Sequence, residues 1–122
     1  MNIGAYLDGR SLAAGPANFP GIPGVYRIGP TAARALGVYT NVAPLGPYRG
    51  AGRQHGVFVI ERMLDLAARQ LGIDLVEIRR RNFLPPDAFP HDNQIIYQDF
   101  APLVYDSGDY QPILDKALEL VG

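Results

Sequence analysis

Gln54-His-Gly-Val-Phe-Val-Ile-Glu-Arg-Met-Leu-Asp-Leu-Ala-Ala-Arg-Gln-Leu-Gly72 is the stretch whose pattern decides the fold. Within it Val57, Ile60, Leu64, Ala67 and Leu71 recur at spacings of three and four, which places them on one face of an α-helix. Glu61, Arg62, Asp65 and Arg69 fall away from that stripe. Asp65 and Arg69 stand at the i,i+4 separation of a favourable ion pair, and Gly72 suits a C-terminal cap. The spacing predicts a helix over residues 54 to 71.

Downstream, Asp74-Leu-Val-Glu77 resembles a capping box, which extends the helical region as a second short helix to about Asn82, before Pro85 and Pro86. The Arg79-Arg80-Arg81 run at its end is expected to be solvated and to complement the negative end of the helix dipole. Residues 85 to 108 are a Pro-, Asp- and Asn-rich connection with brief strand candidates at 95 to 97 and 103 to 105. A last helix is expected over residues 109 to 121, with Asp109 as cap and Pro112 in the first turn. Its apolar face would be Ile113, Leu114, Ala117, Leu118 and Val121.

Upstream, residues 33 to 42 are a strand candidate in which Val38 and Thr40 share one face and Tyr39 and Asn41 the other. Residues 3 to 7 read as a second strand, starting so near the first residue that the chain looks cut from a longer one. Between them, residues 8 to 30 carry Gly or Pro every few positions and should be irregular. The chain holds 14 glycines and 11 prolines in 122 residues, well above the globular average of about 12%. So long an irregular segment is expected to drape over the surface of a larger protein. No internal repeat is present. The expected fold class is α+β: a short mixed or antiparallel sheet packed by one long helix and the C-terminal helix, a subdomain of something larger.

Composition narrows the function. A formal charge of -1 gives no basic footprint for nucleic acid. No apolar run approaches the roughly 18 residues of a membrane span. The first residues lack the basic start and apolar core of a secretory signal. With no cysteine there is no thiolate nucleophile, iron-sulfur ligation or Cys-based zinc site within these residues.

The stretch with the most chemical content is Gly46-Pro-Tyr-Arg-Gly-Ala-Gly-Arg53, a glycine-rich loop, residues 44 to 53, leading into the long helix. Such a loop can offer backbone amides to an anion or oxo group, with Arg49 and Arg53 adding positive charge. It serves equally well as a turn between strand and helix. A phosphate loop is excluded because Ala51 stands where the second glycine would be and no lysine follows. The dinucleotide fingerprint fails because His55 stands where the third glycine is required. His55 and His91 have no carboxylate at metal-site spacing, so no metal ligand is assigned. Glu61 would act as a base only if buried and perturbed; pairing with a neighbouring arginine is the simpler reading. Among seven scattered tyrosines only Tyr48, inside the loop, is a candidate for function.

Val38-Tyr-Thr-Asn41, Gly46-Pro-Tyr-Arg-Gly-Ala-Gly-Arg53, Ile60-Glu-Arg62 and Arg79-Arg-Arg-Asn82 occur in this order and spacing in molybdenum hydroxylases. Over nearly its whole length the chain resembles the molybdopterin-binding large subunit of the xanthine dehydrogenase, aldehyde oxidase and carbon monoxide dehydrogenase family. Tyr105-Asp-Ser-Gly-Asp-Tyr110 resembles bacterial members in particular. The resemblance implies that residues 44 to 53 face a molybdenum-molybdopterin cofactor, with Tyr48, Arg49 and Gly50 beside it. Ala51 and Gly52 would line the substrate pocket, and Arg53 and Glu61 would support them. It implies hydroxylation of an aldehyde or N-heterocycle with water-derived oxygen, and electrons leaving through iron-sulfur and FAD subunits or domains. The remainder of the molybdopterin subunit would be a further partner, in the cytoplasm or, as an alternative, the periplasm.

Four positions depart from the family pattern. Copper-bridged carbon monoxide dehydrogenases carry a cysteine where this chain has Gly50, which argues against that chemistry. Ala51 replaces a phenylalanine frequent in xanthine-type enzymes, and Gln54-His55 replaces a bacterial Pro-Glu. The family's glutamate base and its other cofactor-binding motifs lie outside these residues, so the segment alone is expected to be inactive. The competing expectation is a freestanding, non-catalytic anion-binding or assembly module.

Overall fold

The computed structural model describes residues 2–6, 21–97 and 99–122. Residues 7–20, where most of the expected irregular segment falls, and Leu7 of the first strand candidate lie outside them. The described residues divide into two compact units, one drawn from 2–6, 21–24 and 30–61, the other from 25–29, 62–97 and 99–122. The long helix α1, Arg53–Leu71, runs through that division.

In the first unit β1, Asn2–Gly4, pairs in parallel with β2, Val38–Tyr39. The Thr40 amide donates to the Gly4 carbonyl at 3.0 Å and the Ala5 amide to the Val42 carbonyl at 3.0 Å. Asn2 braces the ribbon, its side-chain oxygen accepting from the Gly4 amide at 2.9 Å and from the Thr40 hydroxyl. Ile3 is buried, and the Leu45 amide donates to its carbonyl at 3.3 Å, which ties the start of the 44-to-53 loop to β1. The strand expected over residues 33 to 42 is regular only at Val38 and Tyr39, because only there does a partner strand run alongside. Both side chains are exposed.

In the second unit α2, Leu75–Asn82, begins where the sequence places it. The Asp74 carboxylate accepts from the Val76 amide at 2.8 Å and the Glu77 amide at 3.0 Å, satisfying two of the orphan donors of the first turn. The capping box is only half made, since Glu77 instead takes the Arg81 guanidinium at 2.6 Å. Extended backbone at Phe83 ends the helix before the prolines. Val25 and Arg27 pair with the following segment through Leu84 N–H to Val25 O at 3.0 Å and Arg27 N–H to Asn82 O at 2.6 Å. This pairing stacks Tyr26 on Phe83 at 5.4 Å with planes 8° apart, and Tyr110 and Phe89 extend the aromatic row. Tyr26, Leu64, Ala68, Ile78 and Leu84 are buried. A 3-10 turn, Pro86–Ala88, leads to β3, His91–Ile96, antiparallel to β4, Pro102–Tyr105, and then to α3, Gln111–Val121. The fold is α+β as expected, with the strands in two separate pairs, one parallel and one antiparallel, instead of one sheet.

Four local expectations are corrected. The buried line of α1 is Gly56, Ile60, Leu64 and Ala68, an i,i+4 row, while Val57 and Leu71 of the predicted stripe are exposed. Asp65 pairs with Arg62 and Arg79, each at 2.9 Å, and not with Arg69, because Arg79 reaches it from α2. Arg79 and Arg80 are not a solvated helix end: Arg79 joins α2 to α1, and Arg80 bonds Asp115 and, at 3.0 Å, the Gln111 side chain of α3. Gln111 returns a bond to the Arg80 carbonyl at 2.9 Å. Finally, α3 is capped at Tyr110 without a side-chain bond from Asp109, and none of its predicted apolar face is buried.

The Arg79 hydrogen bond, with the Arg79 and Arg62 charges, holds the Asp65 carboxyl below its ordinary value of 3.8, against a smaller opposing effect of desolvation. A carboxylate whose folded pKa is lowered contributes fully above its unfolded value, and that contribution is lost as pH falls through the folded one. Asp65→Asn should therefore lower stability at neutral pH and shallow its decline below about pH 4, the two proteins converging in acid. Denaturant melts across that range check this; parallel acid limbs would show that Asp65 has no such coupling.

Candidate functional site

The loop between β2 and α1 acquires its shape from three consecutive residues with left-handed backbone: Gly50 at φ 95°, Ala51 at 50° and Gly52 at 100°. An L side chain at φ near 100° is strained, so Gly50 and Gly52 take these positions without penalty, whereas Ala51 bears a cost of about 1 kcal/mol. Strain of this kind persists only where surrounding bonds over-determine it. Those bonds are present: Ala51 N–H to Tyr48 O at 2.6 Å, Arg53 N–H to Gly50 O at 3.0 Å and His55 N–H to Gly52 O at 2.9 Å. The chain reverses within four residues and enters α1 directly.

The reversal sorts the candidate side chains. Tyr48 is 86% exposed, unlike Tyr26, which is buried in the second unit's aromatic row. Arg49 is exposed and forms no ion pair or hydrogen bond among the described residues. Ala51 is half-buried and Gly52 buried. Arg53 folds back, its Nη1 donating to the Gly50 carbonyl at 3.2 Å, so it braces the loop with both backbone and side chain. Glu61 is half-buried on α1, eight residues on, about 12 Å of helix rise from Arg53. The fold thus gathers Tyr48 to Arg53 into one turn and leaves Glu61 along the helix.

Gln54 lies beside the turn, its Oε1 2.8 Å from where a Cβ on Gly50 would stand. The i,i+4 spacing of the two was visible, but only the left-handed backbone at Gly50 turns that face toward the helix start. Among the described residues no three His, Asp or Glu side chains gather as a metal-binding group. No helix there is long and apolar enough to cross a membrane.

Comparison with known proteins places this loop in context. The family model described as "Molybdopterin cofactor-binding domain" matches residues 1–83. The chain is 39% identical to the carbon monoxide dehydrogenase large chain of Hydrogenophaga pseudoflava over 99% of its own length and 15% of that protein's. It is 37% identical to the 6-hydroxypseudooxynicotine dehydrogenase complex subunit gamma of Paenarthrobacter nicotinovorans, over 97% of this chain and 15% of the relative. The crystal structure of quinoline 2-oxidoreductase from Pseudomonas putida 86 superposes with a TM-score of 0.79 at 33% identity, covering 99% of this chain and 15% of that one. The chain therefore spans about a seventh of the length of these relatives, the size of a subdomain of theirs.

Two glycines of the loop should respond differently to the same change. Gly52→Ala, at φ 100°, should destabilise by about 1–3 kcal/mol. Gly46→Ala, with nothing within 4 Å of the added methyl, should change stability by under about 0.5 kcal/mol. Urea unfolding of both variants measures the contrast, and equal effects would contradict the loop geometry.

Proposed function

The chain belongs to the molybdopterin cofactor-binding domain family, and from that premise we propose that its 44-to-53 loop is the cofactor-facing element of a molybdenum-dependent hydroxylase. The observation that carries the reading is the left-handed Gly50-Ala51-Gly52 reversal beside an exposed Tyr48 and an uncommitted Arg49. The residues present fit such a group. Gly50 and Gly52 allow the left-handed turn that leaves Tyr48, Arg49 and Gly50 exposed on its outer side, where an anionic or oxo-bearing ligand can meet the Arg49 charge and the main chain, and fixed amides stabilise negative charge developing on oxygen. When bound, the molybdenum cofactor supplies oxidation of an electron-poor carbon with oxygen derived from water.

In this reading Tyr48, Arg49 and Gly50 would hold the cofactor's edge, Arg49 contributing charge and Gly50 an exposed stretch of main chain. Ala51 and Gly52 form the substrate side of the turn, where the small Ala51 methyl leaves room for a ring. Arg53 keeps the turn closed through the Gly50 carbonyl, and Glu61 supports the helix behind it. Iron-sulfur and flavin partners would take up the electrons, and the remainder of a large molybdopterin subunit would supply the groups these residues lack.

The substrate is an aldehyde or an N-heterocycle. The names of two relatives, a quinoline 2-oxidoreductase and a 6-hydroxypseudooxynicotine dehydrogenase, support a ring substrate. Carbon monoxide chemistry through a loop thiolate is disfavoured, because the sequence contains no cysteine and Gly50 adopts a backbone that resists any side chain. A freestanding assembly module has no observation in its favour.

The test is the full-length protein matured with its cofactor, assayed for molybdenum and for substrate-dependent dye reduction. Stoichiometric molybdenum, oxidation of N-heterocycles or aldehydes, and a loss of about a hundredfold in kcat on Arg49→Ala are expected. A full-length protein that binds no molybdenum would overturn the proposal.

A further inference from the structure

β1 and the chain that leads into the 44-to-53 loop meet at Gly4. The Thr40 amide donates to the Gly4 carbonyl at 3.0 Å, the Ala5 amide to the Val42 carbonyl at 3.0 Å, and the Leu45 amide to the Ile3 carbonyl at 3.3 Å, so main-chain bonds join both sides of Gly4 to both sides of Pro44. Gly4 is buried, and the backbone of residues 43 and 44 lies against its α-carbon. A Cβ there would stand 2.5 Å from the Pro44 Cα, 2.6 Å from the Ala43 carbonyl oxygen and 2.8 Å from the Pro44 nitrogen. All three are main-chain atoms, so no change of rotamer relieves the overlap, and the two segments would have to separate against the bonds that join them. Gly4 also has φ 83°, where any L side chain is strained. There β1 advances from Asn2 to Gly4 while β2 advances only from Val38 to Tyr39, an irregularity of the kind that bends a strand. Asn2 holds the bend, its side-chain oxygen accepting from the Gly4 amide at 2.9 Å and from the Thr40 hydroxyl.

We propose that Gly4 is a positioning residue for the loop: its missing side chain lets β1 seat the loop's root at Pro44, and that seat sets where Tyr48 and Arg49 are presented. The loop depends on its ends. Residues 46 to 49 are all exposed, and Gly46 has nothing within 4 Å of its Cβ position, so little holds the middle of the loop sideways. One end is fixed by Arg53, which binds the Gly50 carbonyl through its amide and its guanidinium. The other is fixed by the contact at Gly4. The consequence for turnover rests on the cofactor-facing reading above, whereas the coupling of Gly4 to the loop does not. Gly4 acts through Pro44.

The experiment compares Gly4→Ala and Asn2→Ala in the full-length protein with Leu84→Ala, a buried change in the second unit that lowers stability without touching the loop's root. Amide hydrogen exchange over residues 45 to 53 is read beside kcat per bound molybdenum and KM. Gly4→Ala should speed exchange of the Leu45 and Ala51 amides by about tenfold. Asn2→Ala, which removes two bonds and adds no clash, should speed it by about threefold, and Leu84→Ala by under about twofold. In Gly4→Ala kcat per molybdenum should fall about tenfold with KM moving under about twofold, since geometry and not ground-state binding is lost, while Leu84→Ala keeps its kcat. Loop exchange no faster in Gly4→Ala than in Leu84→Ala, or an unaltered kcat per molybdenum in Gly4→Ala, would each overturn the proposal. If Gly4→Ala does not fold, Asn2→Ala decides, and unchanged exchange at Leu45 and Ala51 in that variant overturns it. Should the full-length protein bind no molybdenum, the cofactor reading fails, and the exchange comparison alone still decides whether Gly4 sets the loop.

Discussion

The Arg79 guanidinium sits between two helices, with Nη2 on the Asp65 carboxylate of α1 and Nη1 on the Leu75 carbonyl of its own helix. Its neighbour Arg80 turns to the other side and takes Gln111 and Asp115 of α3. Two consecutive arginines on a helix point about 100° apart, so one short helix can be tied to two others without any side chain crossing. Isolated surface pairs contribute little, but here one pair links α2 to α1 and the other links α2 to α3, which has no buried residue. Remove the Arg80 bonds and α3, with no buried residue of its own, has little besides the aromatic row at Tyr110 to keep it in place.

In the first unit the governing constraint is conformational. β1 and β2 make a ribbon too short to stand alone, and what fixes the chain between β2 and α1 is the left-handed run at residues 50 to 52, closed by bonds from Arg53 and His55. The helix and the loop are therefore one construction. Arg53 belongs to the helix yet binds the Gly50 carbonyl with both its amide and its guanidinium.

How much of this could be read from residues alone follows from the range of the forces involved. Asp74 was legible as a cap, and Gly72 as the end of α1, because both act within a few residues. The glycine loop was legible as a reversal for the same reason. The partners of Asp65 were not, because the sequence offers Arg62, Arg69 and Arg79 alike, and the choice is made by how α2 lies against the residues after Arg62. Likewise the arginine run reads as a solvated terminus until Asp115 and Gln111 are brought beside it.

The misread stripe of α1 has a further physical content. Hydrophobic periodicity reports which faces are meant to be covered, not which elements cover them. Ile60, Leu64 and Ala68 are covered by the described residues, but Val57, Phe58, Val59, Met63 and Leu66 stand exposed on the same helix, as do Ile113, Leu120 and Val121 on α3. A helix apolar on more than one side belongs to the interior of a large body. The relatives supply such a body, since this chain matches only 15% of their length. The stripe read from spacing is therefore met only in part: Ile60 and Leu64 are buried as predicted, while Val57 and Leu71 are not, because the i,i+4 row that continues to Ala68 is the one that packs within the described residues.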